Sequence, residues 1–101
     1  MLSPDDTADS MLLRRARRFV RQGDLRKAAI ALRERAGLVG SAAAWVMAGA
    51  MSARARRTDD ALAAYRQGMW LHQKSGAPRR ARTVAKLIGQ LDPMAGLKLA
   101  S

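Results

Sequence analysis

At 101 residues the chain makes one domain, and with 49% hydrophobic residues it carries enough apolar surface to fold. It has no cysteine, one histidine (His72) and one glutamate (Glu34), which excludes disulfides, thiolate metal sites, a cysteine nucleophile, a His-based zinc site and a paired-glutamate acid–base site. The net charge of +11 comes from 15 Arg and 4 Lys against 8 acids, and either marks anion recognition by guanidinium groups or reflects codon usage in a GC-rich genome.

Helix formers dominate, β-branched residues are sparse, and apolar residues recur every three or four positions, so the expected fold is all-α. The first helix is expected to begin near Ser3-Pro4-Asp5-Asp6, with Ser as cap, Pro at the first helical position and acids in the first turn. Its apolar stripe is Leu12, Ala16, Phe19 and Val20, and Gly23 stops it. The second starts around Asp24, carries Leu25, Ala28, Ala29 and Leu32, and breaks at Gly37–Gly40. Ser41 caps the third, with Trp45, Ala48, Gly49 and Ser52 on its stripe. Thr58, Asp59 and Asp60 start the fourth, followed by Leu62, Tyr65, Met69 and His72. Gly76 ends it, and Pro78 opens a fifth through Ala81, Val84, Leu87, Ile88 and Leu91. Asp92-Pro93 begins a short tail, Met94 to Leu99.

No apolar run approaches the roughly 20 residues of a membrane span. The acidic N-terminus lacks the apolar stretch of a secretory signal, and Arg14-Arg15 lack that of a twin-arginine signal. A cytoplasmic protein is expected.

Two segments share one register. Leu12, Ala16, Ala28 and Leu32 return 33 residues later as Trp45, Gly49, Ala61 and Tyr65. Small residues at Ala16/Gly49 and Ala28/Ala61 let two antiparallel helices approach closely, and the large ones fill the space beside the crossing. This pattern resembles the tetratricopeptide repeat, a helix–turn–helix unit of about 34 residues. The resemblance covers roughly residues 9–93, through Leu12…Ala16…Phe19, the turn Gly23-Asp24, Trp45…Gly49 and Asp60-Ala61-Leu62-Ala63-Ala64-Tyr65. A half-repeat follows, with Gly76, Ala81 and Leu91-Asp92-Pro93 at the spacing of the family's turn glycine, small residue and closing Leu-Asp-Pro. The second turn, Arg56-Arg57-Thr58, departs from the Gly-Asp pattern, and Ser52 replaces an aromatic.

The resemblance implies a short right-handed α-solenoid of about two and a half repeats, with repeat 1 at about 9–40, repeat 2 at about 42–75, a capping helix at about 77–93 and a tail at 94–101. It also implies a concave face lined by the first helix of each pair. Carried over by position, that face offers Leu13, Arg17, Val20 and Arg21, then Ala43, Val46, Met47, Ala50 and Arg54. The result is an apolar floor edged with guanidinium groups, suited to an extended or helical peptide with apolar anchors and nearby acids. Family members that grip a C-terminal carboxylate use Lys and Asn at positions held here by Leu13, Arg17, Ala43 and Met47, so that clamp is absent, although Arg17 can pair with one carboxylate.

Beside the groove stand two basic clusters, Arg14 to Arg21 and Arg79 to Lys86, whose bland reading is a solvated helix face. Trp70 either packs on the last helix or forms a surface patch for a partner or second copy. His72 falls on the apolar stripe and reads as a core residue, whereas Leu87, Ile88 and Leu91 offer an apolar stack end for a homodimer. The expected function is therefore a non-catalytic protein-interaction adaptor or scaffold, with no cofactor and no metal. Two alternatives remain: a nucleic-acid binder using the Arg clusters, and a small chaperone like those of bacterial secretion systems.

Overall fold

A computed structural model describes residues 7–94, where the chain forms five helices and no strand. These are α1 (Ala8–Arg21), α2 (Leu25–Val39), α3 (Ala42–Arg54), α4 (Thr58–Lys74) and α5 (Pro78–Leu91). The capping signals largely act where they stand in the sequence. Asp24 accepts the Lys27 N–H at the start of α2, Ser41 accepts the Ala44 N–H at the start of α3, and Pro78 opens α5. The start of the first helix differs from expectation: Thr7 is the cap, accepting the Ser10 N–H, and Ser3 to Asp6 lie outside the described residues. Thr58 is the first residue of α4, as expected, and Arg57 before it holds the cap position without a side-chain cap bond. Gly37 continues α2, so the break is at Gly40 alone. Of the tail, Pro93 and Met94 resume a helical turn, and residues 95–101 lie outside the described residues.

Three of the four turns share one backbone design. At each, a left-handed residue (Gly23 at φ 78°, Arg56 at φ 60°, Gly76 at φ 76°) follows the helix, and the next N–H reaches back five residues. Asp24 donates to the Phe19 carbonyl at 2.9 Å, Arg57 to Ser52 at 2.9 Å and Ala77 to His72 at 2.8 Å. This is the Schellman arrangement, which satisfies carbonyls the ending helix would otherwise orphan.

Each helix packs mainly on the helices before and after it in the chain, giving a body of 50 × 31 × 15 Å. The core is accordingly strung along the molecule in two clusters. One joins Ala16, Ala31, Leu32, Ala36, Ala44, Ala48 and Ala64, with Trp45 against it; the other joins Leu62, Tyr65, Val84 and Ile88. Alanines bring helices close but bury few methylenes, so apolar stabilisation concentrates in the few large side chains, at about 1.5–3 kcal/mol each. Ala28 and Ala61, the paired small residues of the sequence register, are both fully buried.

The end helices α1 and α5 turn apolar residues inward and exposed arginines outward. This corrects the apolar stack end expected at α5. Ile88 is fully buried, and Leu87 and Leu91 are half-buried against the α4–α5 cluster.

Candidate functional site

Two open clefts lie side by side along α3 and share Met47. The first, of about 440 Å³, sits between α1 and α3. From α1 come Leu13, Arg17, Val20 and Arg21, and from α3 Met47, Met51 and Arg54, with Ala16 and Leu32 at its base. The second, of about 690 Å³, sits between α3 and α5. There α3 supplies Ala43, Val46, Met47 and Ala50, and α5 supplies Arg80, Thr83, Val84 and Leu87, while His72 enters from α4. Together they form one groove with an apolar floor. Guanidinium groups of Arg21 and Arg54, in the last turns of α1 and α3, edge one end, and Arg80, in the first turn of α5, edges the other.

Nine of the ten candidate residues named from the sequence line this groove: Leu13, Arg17, Val20, Arg21, Ala43, Val46, Met47, Ala50 and Arg54. The tenth does not. Trp70 is 50% exposed and lies outside both clefts, with the Lys74 Nζ 4.9 Å from its ring centroid. His72 is also corrected: it is half-buried on the groove wall rather than in the core.

The α5 wall was not anticipated. Gly76, Ala81 and Leu91-Asp92-Pro93 read as a half-repeat ending in a capping helix, which contributes no residue to the expected inner face. In the structure α5 instead faces α3 across the second cleft, at a spacing of 37 residues (Ala43 to Arg80, Ala50 to Leu87) that a search at 33 does not reach. Met51, one turn beyond Met47 on α3, lines the first cleft but is not among the positions carried over from the resemblance.

Ionic and sulfur contacts tie together the helices that carry the groove. Arg35 of α2 bridges to Asp9 of α1 and brings its Nη1 to 3.8 Å from the Met47 sulfur, so one largely covered guanidinium ties three helices together. Across the α3–α4 turn, Asp60 takes Arg57 at 3.0 Å and Arg33 of α2 at 3.3 Å. The Arg57 hydrogen bond, aided by the charges of Arg33 and Arg57, keeps the Asp60 carboxyl below the usual aspartate range against a smaller opposing effect of burial. Burial pushes the Tyr65 phenol up. Among the described residues, no cluster of three or more His, Asp or Glu could hold a metal ion, and no helix is long and apolar enough to cross a membrane.

Comparison with family models, with curated proteins and with solved structures finds no match for this chain.

Proposed function

We propose that this protein is a non-catalytic interaction module, a short right-handed solenoid of antiparallel helix pairs similar to tetratricopeptide repeats, which holds an acidic, apolar segment of another protein in the groove. The observation carrying this reading is the convergence of residues from α1, α3 and α5 on one apolar floor with arginines at both ends. Chain-neighbour packing, the fully buried Ala28/Ala61 pair and the repeated turn geometry 33 residues apart support the solenoid. Charge supports the choice of ligand. A chain at +11 steers acidic segments toward the groove and repels a second copy of itself.

Nucleic acid would meet the same cations, but base stacking needs exposed rings, and Trp70 is the one ring at least half exposed among the described residues. The two readings separate in one experiment. Acidic-apolar peptides on an array should bind the wild type, with Arg17→Glu and Arg54→Glu lowering affinity at least tenfold while circular dichroism stays unchanged. Peptide binding indifferent to both substitutions overturns the groove. So does RNA or DNA binding tighter than any peptide and falling steeply between two salt concentrations.

A further inference from the structure

The groove's chemistry also constrains the conformation of what it holds, an inference that rests on the reading above. Its walls are helices whose backbone groups bond within each helix, so they present no row of free N–H and C=O groups to which an extended strand could add. Polar side chains are few there: the chain has no asparagine, no amide side chain lines either cleft, and besides the arginines only His72 and Thr83 are polar. An extended segment on this floor would press its own peptide groups against methyl groups without partners, whereas a helix arrives with those groups already bonded.

The spacing of the charges sets a register. Arg80 shares the second cleft with Ala43, in the first turn of α3, and Arg54 lies in the last turn of that helix. From position 43 to position 54 is 11 residues, about 16 Å at 1.5 Å per residue. On a helical ligand, positions i, i+4, i+7 and i+11 share one face. We propose that the groove binds one amphipathic helix of a partner protein, with acids at i and i+11 meeting the two arginine ends and apolar residues at i+4 and i+7 filling the clefts on either side of Met47. A second copy does not fit this description, because no two acids of this chain stand 11 residues apart.

The test uses fluorescence anisotropy with a labelled synthetic peptide of about eighteen residues, long enough for some five helical turns. It carries Glu at i and i+11 and Leu at i+4 and i+7 in an Ala/Gln background. It should bind, and a central proline, or transfer of the second Glu to i+9 on the opposite face, should weaken it at least tenfold. An extended Val/Thr-rich peptide with Glu five residues apart spans the same distance and should also bind at least tenfold more weakly. Arg80→Glu and Arg54→Glu, both at exposed positions, should each lose binding and regain it with a peptide bearing Arg in place of one particular Glu, a different one for each variant. If the proline or extended peptide binds as tightly, or if either Arg-bearing peptide rescues both variants, the helical register is wrong and the groove reading stands. If none of these peptides binds and the array is also blank, both fall.

Discussion

Between α1 and α2 the left-handed turn position is Gly23, and 33 residues later, between α3 and α4, it is Arg56. The backbone bonds around the two are the same, yet the residues supporting them are not. Gly23 takes this conformation without a Cβ clash, and Asp24 caps the next helix with its own carboxylate. Arg56 adopts it with a full side chain, and Arg57 caps nothing. The second pair is held from outside the turn. A Cβ placed on Gly49 would stand 2.6 Å from the Tyr65 ring, and one on Gly68 would stand 2.8 Å from Val46, so α3 and α4 meet at glycine distance at two levels. The first turn is written locally, whereas the second is imposed by tertiary packing.

This difference predicts where each pair breaks. Tyr65→Ala removes the ring that fills the space beside Gly49 and should cost about 3–5 kcal/mol in urea unfolding, the range for deleting a large buried aromatic. A cost below about 1 kcal/mol, within reach of an ordinary surface change, would mean that the α3–α4 contact does not hold the second turn. Next in size, Gly49→Ala should cost about 1–3 kcal/mol by overpacking. In a Tyr65→Leu background that cost should shrink, because the clashing ring is gone, and the double-mutant cycle should show coupling of about 0.5 kcal/mol or more. The corresponding site in the first pair is already Ala16 opposite Leu32, which accommodates the methyl.

The same contrast marks what was legible in the sequence. Asp24, Ser41, Gly23, Gly76 and Pro78 carry their structural meaning in their own chemistry, and the helices they bound could be read from them. Ala28 and Ala61, marked by the small-residue register, are both fully buried. Arg56 could not be read, since nothing local asks an arginine to be left-handed. Nine groove residues on α1 and α3 followed from the repeat resemblance, but the α5 wall depends on how α4 sets α5 against α3. His72 shows the limit of periodicity, which gives the stripe a residue lies on but not whether that stripe meets a neighbour or an open cleft.

Exchanging the turn residues sharpens the comparison at smaller magnitude. Arg56→Gly should stabilise the protein by about 1 kcal/mol, by relieving a left-handed conformation unfavourable to an L-residue with a Cβ. Gly23→Ala should destabilise by a similar amount for the opposite reason, with open space around the new methyl. If Arg56→Gly is instead destabilising, the Arg56 side chain makes a contact that outweighs its backbone strain.

The smallest effect should come from the ionic brace that joins the second turn to α2. Asp60 has a folded-state pKa held below its ordinary value, chiefly by the Arg57 hydrogen bond, so its contribution is present above the usual aspartate range and is lost as pH falls through the lower, folded value. Because Arg33, Arg57 and Asp60 are all at least partly exposed, the brace is worth no more than about 1 kcal/mol. Wild-type stability should therefore drop more steeply below about pH 4 than that of Asp60→Asn, and 0.5 M salt should narrow the gap between them. In the first turn the carboxylate of Asp24 meets Lys27 of its own helix at 3.7 Å. An acid limb of Asp60→Asn that matches wild type would mean that the brace between the second turn and α2 contributes nothing to stability.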